Sequence, residues 1–238
     1  DDASTVTLNG SNVSQWDDKS GNGRNASQAV AADQPTYTSN ILNGKPGVAF
    51  DGSTDFMTVD HDNALNAQIE PSSVIVLYRE RGGFSLMQKG TGPGFTSDAF
   101  FMGPDASLAA AGTFTTSYAS NENVWNFDIG TFSGATLRHW RNGTKLVPTN
   151  VSGGTIVDDE LVSDTTPTVN SNQLFIGKRN NPNGTEGNID GEILETLILT
   201  SALSNADRQK LEGYLAHKWG LVANLPSGHP YKIKPPVK

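Results

Sequence analysis

Short apolar runs separated by turns rich in glycine and asparagine dominate the pattern along the chain. Val74-Ile75-Val76-Leu77-Tyr78 is continuously apolar and mostly β-branched, which predicts a central strand buried on both faces. Pro46 to Phe50 and Phe56 to Val59 predict two strands flanking an Asp-Gly turn. Asn123 to Phe132 alternates apolar and polar residues, as a half-buried strand does. Leu137 to Val147 then holds Asn142-Gly143 between two strand-like runs, the strongest short-range hairpin signal in the chain. Leu174-Phe175-Ile176-Gly177 predicts a strand leading into an exposed turn at 178–184, and Ile189 to Leu199 predicts a long strand. Residues 84–118 offer several short strands, while 24–45 and the acidic stretch 149–172 read as surface connections. Helical spacing occurs once. Ser204 is placed to cap a helix over 204–219, with Asp207 three residues on. Leu211, Tyr214, Leu215 and Trp219 make its apolar face, and Gly220 stops it. The tail 225–238, with Pro226, Pro230, Pro235 and Pro236, reads as extended. The whole is an all-β, two-sheet antiparallel sandwich of residues 1–238, a single domain with one C-terminal helix at its edge.

Composition narrows the function. A chain of 238 residues carrying a net charge of -8 lacks the basic footprint that nucleic acid demands, and anionic membrane surfaces are disfavoured for the same reason. No apolar run approaches the roughly 18 residues of a membrane span, which predicts no membrane insertion. Cysteine is absent, so there is no disulfide framework, thiolate zinc site or cysteine nucleophile. The chain opens on Asp1-Asp2-Ala3-Ser4 with no leader-like stretch, which reads as a processed product or an excised part of something larger.

Four motifs in order carry a resemblance. They are Trp16-Asp17-Asp18-Lys19-Ser20-Gly21-Asn22-Gly23, then Asn43-Gly44-Lys45-Pro46-Gly47-Val48-Ala49-Phe50-Asp51-Gly52, then Ile189-Asp190-Gly191-Glu192-Ile193, and finally Leu203-Ser204-Asn205-Ala206-Asp207-Arg208 with Gly213-Tyr214-Leu215-Ala216. Together they resemble the concanavalin A-like, laminin-G-like jelly-roll superfamily of bacterial surface proteins and phage fibres, over nearly the whole chain. The resemblance implies a jelly roll on the outside of a cell or a virion, and a calcium ion beside the ligand, as in many members. It is poorly specific for function, because the fold hosts lectins, adhesins, spacers and glycosidases.

Three chemistries compete for these residues. Calcium wants six to eight hard oxygens, some from backbone carbonyls. Asp18 and Asn22 in one Gly-flanked turn, and Asp51 and Asp55 in another, are the metal-ligand candidates, with Asp17 and Asp190 nearby in the same motifs. Asp and Asn in such turns equally bind their own backbone. Sugar recognition wants an aromatic platform and planar polar groups. Trp140, Arg138, Arg179, Asn180 and Asn183 are the ligand-binding candidates, with Trp125, Tyr118, His139, Arg141 and Lys178 behind them; both tryptophans also read as core. A retaining glycosidase wants two carboxyl groups about 5–5.5 Å apart on one face. The Glu-x-Asp-x-x-Glu strand of concanavalin-like glucanases has no counterpart here, and Glu192 and Glu195, three apart in one strand, should point to opposite faces. Glu195, in an otherwise apolar run, reads either as a paired buried carboxylate or as a functional group raised in pKa by burial. The histidines show no zinc spacing.

The function expected from the sequence is therefore a non-enzymatic extracellular recognition module for a glycan or other surface polymer, calcium-assisted, within a larger adhesin or surface protein. A structural or decoration domain of a phage or surface filament, contacting other domains of its own assembly, is the alternative. A glycoside hydrolase comes third.

Overall fold

The structure is a computed structural model that describes residues 2–66, 71–90, 100–105, 107–110, 113–116, 122–164, 170–180 and 187–237. Every strand pairing among these residues is antiparallel, and the pairings form one continuous ladder folded into two layers. In the first layer Thr36–Leu42, Lys45–Asp51, Asp190–Leu199, Ser72–Gly82, Trp125–Ser133, Thr136–Arg141, Glu160–Ser163 and Gly154–Val157 lie side by side, and Thr144–Leu146 shares the edge of Thr136–Arg141. The second layer runs from Val6–Asn9 through Asn12–Trp16, Ala26–Ser27, Met57–Val59, Leu174–Ile176, Met87–Lys89, Phe100–Met102, Leu108–Ala110 and Thr113–Thr116 to Asn150–Ser152. A single pairing, Asn12 with Thr36, joins the layers at one end.

Strand alternation sets the core. Val74, Val76 and Tyr78 of Ser72–Gly82 face the second layer and meet Met57, Phe100, Met102, Leu108 and Ile176 there. Ile75 and Leu77 point the other way and are equally buried. This is the doubly buried strand that the apolar run predicts, and what covers its second face is the helix.

The helix spans Asn205–Trp219. Ser204 Oγ accepts from the Asp207 amide at 3.1 Å, and Gly220 ends the helix at φ 73°, a left-handed cap that glycine adopts without steric cost. The helix is not at the sheet edge. Leu215, Ala216 and Trp219 pack with Ile75, Leu77, Phe127, Ile129 and Leu194 across the outer face of the first layer, where three central strands would otherwise leave apolar side chains in water. Tyr214, expected on the apolar face, is exposed, while Arg208 and Glu212 are buried. The tail does not simply run extended. Residues 226–232 turn back, His229 Nε2 lies 3.0 Å from Glu212 Oε2, and Lys232 Nζ donates to the Val222 and Ala223 carbonyls.

Two hairpins sharpen the sequence reading. Asn142 and Gly143 take φ 51° and 81° between Arg141 and its partner Thr144, the type I′ geometry their residue types favour. The stretch 149–172, read as a connection, contains the hairpin Gly154–Val157 and Glu160–Ser163, turned by Asp158 and Asp159 at φ 50° and 60°. The first strand shows no apolar–polar alternation, and Asp158-Asp159 form its turn because Asp tolerates the left-handed region better than most residues. Among the described residues no helix is long and apolar enough to cross a membrane.

Candidate functional site

The strand Thr136–Arg141 sends alternate residues to opposite faces, and its outward pair, Arg138 and Trp140, lies at the bottom of a cleft of about 530 Å³. Neighbouring strands place Thr131, Lys145 and Glu160 beside them through the pairings Thr131–Arg138 and Trp140–Lys145. Gly143 closes one end, and Leu203, Asn205 and Arg208 at the start of the helix form the wall. The cleft is the part of the outer sheet face that the helix leaves uncovered.

Glu160 organises the floor. Its Oε1 accepts from Arg138 Nε at 2.6 Å and from Lys145 Nζ at 3.4 Å. The Arg138 hydrogen bond, against a smaller opposing effect of burial, holds this carboxyl below the usual range. Lys145 Nζ also reaches the Asp158 carbonyl at 3.4 Å. Over the wall, the Arg208 guanidinium stacks 4.6 Å from the centroid of the Trp140 ring, a cation–π contact. Arg208 Nη1 is bonded to Glu212, itself fully buried, while Arg208 Nε is buried and without a hydrogen bond. Trp140 is therefore only 6% exposed, and Arg208 occupies part of the ring face that a stacking sugar would use.

The inward residues of the same strand do something else. His139 and Arg141, weighed as sugar contacts, meet Asp128 and Tyr78 between the layers. Arg141 Nε and Nη2 lie 2.9 and 2.8 Å from the two Asp128 oxygens, and His139 Nε2 lies 3.0 Å from Asp128 Oδ2. Arg141 Nη2 also donates to Tyr78 Oη and the Pro104 carbonyl. Burial pushes the Asp128 carboxyl up, but Arg141 and then His139 pull it down further, to about 2. Burial drives the Tyr78 hydroxyl well above its ordinary value.

The remaining ligand candidates lie elsewhere. The Arg179 guanidinium sits 5.1 Å from the Phe84 ring. The Asn180 amide donates to Gln88 Oε1 at 2.6 Å. Neither lines the cleft. Asn183 and Tyr118 lie outside the described residues. Trp125 is partly buried beneath the Arg79 guanidinium, 4.6 Å from its ring centroid.

The two Asp-rich turns spend their oxygens locally. Asp18 accepts from the Ser20 and Arg24 amides at 2.8 and 3.1 Å and from Ser20 Oγ at 2.7 Å. Asn22 Nδ2 donates to Ser20 Oγ at 2.7 Å. Asp51 Oδ1 accepts from the amides of Ser53, Thr54 and Asp55 at 2.9, 2.8 and 3.0 Å. Asp55 Oδ2 takes the Asp51 amide at 3.1 Å. Burial, and then the neighbouring Asp51 charge, raise Asp55 to about 6. These are Asx-turn bonds. Among the described residues no group of three or more His, Asp or Glu side chains is arranged to hold a metal.

The carboxylates of Asp190–Leu199 correct the period-two expectation. A bulge at Leu194 shifts the register, so that Glu192 pairs with Arg79 and Glu195 with Leu77. Arg79 and Leu77 are two apart on one strand and share a face, so Glu192 and Glu195 both lie on the helix side. Each is neutralised. Glu192 bonds Arg79 at 2.9 and 3.1 Å and also Arg81. Glu195 takes Lys218 Nζ at 2.9 and 2.8 Å and Trp219 Nε1 at 2.8 Å, and so is the paired carboxylate of the two readings.

Fold and cleft together define an all-β, two-layer sandwich with a helix-backed outer face and a polar, ion-lined cleft beside the helix. No protein-family model and no curated protein sequence matches the chain. Among solved structures it is similar to Trypanosoma rangeli sialidase, with 15% identity, a TM-score of 0.57, and coverage of 90% of this chain and 32% of that one. The same enzyme in complex with sialic acid matches at 15% identity, TM-score 0.54 and the same coverages. Its covalent intermediate with 2,3-difluorosialic acid matches at 14% identity and TM-score 0.54, again over 90% and 32%. This chain thus spans about a third of the length of those sialidase chains. At such identities the likeness carries the fold. It also corrects the expectation of a chain set apart from enzymes, since the sialidase chains similar to it in fold are those of an enzyme.

Proposed function

We propose that the chain is a concanavalin A-like, laminin-G-like sandwich that recognises carbohydrate through the cleft around Arg138 and Trp140, as one part of a larger extracellular protein. The observation that carries this reading is the cleft itself. It has a volume of about 530 Å³, within the usual range for small-molecule sites. It is lined mainly by planar and hydroxyl-bearing polar groups, with Leu203 and the rim of Trp140 as its apolar contacts. The likeness in fold to a sialidase solved with sialic acid supports a sugar as the ligand class. The test is a glycan array probed with the protein and with Asn205→Trp, which fills the cleft from an exposed helix position and leaves the ionic floor in place. Binding that disappears in the variant, with an unchanged melting temperature, supports the site. Undiminished binding moves it elsewhere on the molecule.

A further inference from the structure

Resting on that reading, we infer that the ligand is an acidic saccharide, held through its carboxylate or sulfate by Arg138, Lys145 and Arg208. The charge in the cleft runs against the charge of the molecule. The chain as a whole is at -8, yet the cleft is lined by three cations and one anion, Glu160. Even with the buried Glu212 behind Arg208 included, cations outnumber carboxylates three to two.

The floor is also under-neutralised in detail. One oxygen, Glu160 Oε1, serves both Arg138 and Lys145. The side chains are 33%, 35% and 24% exposed for Arg138, Lys145 and Glu160, so an incoming group reaches them from solvent. An anionic substituent would give the two cations separate partners, and a guanidinium binds a planar or tetrahedral oxyanion through paired hydrogen bonds. Glu160 occupies the position of that anion and competes with it. Arg208 adds a second observation. Its residue is 7% exposed, it lines the cleft, and its Nε has no hydrogen-bond partner. That Nε is closed to solvent, so Arg208 acts on a ligand through the positive charge it places on the cleft wall. Thr131 and Asn205 remain for sugar hydroxyls. The volume exceeds what a single inorganic ion fills, and the acidic remainder of the surface repels a long polyanion such as nucleic acid.

The experiment is an array of uronic, ulosonic and sulfated saccharides, each beside its neutral counterpart, followed by calorimetry on the best acid and its neutral partner, with sodium sulfate alone as a further titrant. Acidic saccharides should bind at least about tenfold more tightly than their neutral counterparts, and Arg138→Gln should cost about tenfold or more. Glu160→Gln should bind the acid several-fold more tightly, which a merely structural role for Glu160 would not produce. Carboxylate or sulfate hits separate the two oxyanions. Neutral sugars binding as well as acids would overturn the acidic class while leaving carbohydrate recognition intact. No hits of either kind would overturn both readings. Sulfate alone binding as tightly as the saccharide, or weaker acid binding by a folded Glu160→Gln, would also overturn the inference.

Discussion

The two faces of the strand Thr136–Arg141 carry the same kinds of side chain to opposite ends. Inward, Arg141 and His139 close on Asp128 and Tyr78 in a network whose four residues are each at most 9% exposed. Outward, Arg138 and Lys145 share Glu160 at the bottom of an open cleft. The chemistry is nearly the same and only the access to water differs. A buried ion pair is held by the penalty for breaking it, because removing one partner strands the other in low dielectric. A half-exposed pair contributes little stability, and its charges stay available to a ligand. The comparison teaches that an arginine's role here follows from strand parity and not from its chemistry.

That contrast can be broken. Arg141→Met should cost about 3–5 kcal/mol in urea unfolding, by leaving Asp128 uncompensated. The penalty has a pH signature. Asp128 is depressed to about 2, so its stabilisation is present above the unfolded carboxylate value and is lost as pH falls through about 2. The cost of Arg141→Met should shrink between about pH 4 and pH 2. A small, pH-independent loss would mean that the network is not buried.

The helix that walls the cleft should be nearly as costly to loosen. Leu215 is fully buried against the outer sheet face, and Leu215→Ala should lose about 2–5 kcal/mol. A loss under about 0.5 kcal/mol would place that face in solvent. At the hairpin, Gly143 holds φ 81°, and a Cβ there would meet Pro226 at 3.1 Å and His229 at 3.2 Å. Gly143→Val should therefore lower stability by about 1–3 kcal/mol from backbone strain alone, measured as a drop in melting temperature.

Asp55 shows the opposite sign. Its value is raised to about 6, so its contribution favours the fold at low pH and is lost as pH rises through about 6. Asp55→Asn should stabilise the protein by up to about 3 kcal/mol at pH 8 and have almost no effect at pH 3.5. A destabilised variant at both pH values would show that the carboxylate is needed as a charge, as at a metal site. The smallest effect belongs to the cleft. Arg138→Gln should change stability by less than about 1 kcal/mol, so a larger loss in thermal unfolding would assign Arg138 to the scaffold.

Much of the fold was legible because it depends on local pattern. The run Val74–Tyr78, the Asn142-Gly143 turn and the Ser204 cap each state their conformation in the residues themselves, through β-branching, tolerance of positive φ and a hydroxyl at helical spacing. Half of the cleft was legible too, since Arg138 and Trp140 stand at alternate positions of one strand. Lys145 and Glu160 did not emerge, although the β-branched run Thr155-Ile156-Val157 and the apolar pair Leu161-Val162 mark the hairpin that delivers Glu160. Arg208 gave no signal at all, because nothing in the helix distinguishes an arginine that covers Trp140 from one in water.

What the sequence determined by itself is therefore most of the elements and their two-faced strands, though not the strand Thr36–Leu42 or the hairpin of Gly154–Val157 and Glu160–Ser163, which lie in stretches that read as connections. The elements it determined rest on interactions within a few residues, where spacing equals geometry. Tertiary structure alone decided three things. The helix lies on a sheet face instead of an edge, because Ile75, Leu77, Phe127 and Ile129 need a cover. Glu192 and Glu195 share a face, because one bulged residue inverts the parity of everything beyond it. The cleft exists because residues far apart in sequence, 131 to 160 and 203 to 208, border the part of the sheet that the helix does not reach. Each depends on contacts between distant segments, and period and propensity carry no information about which segments will meet.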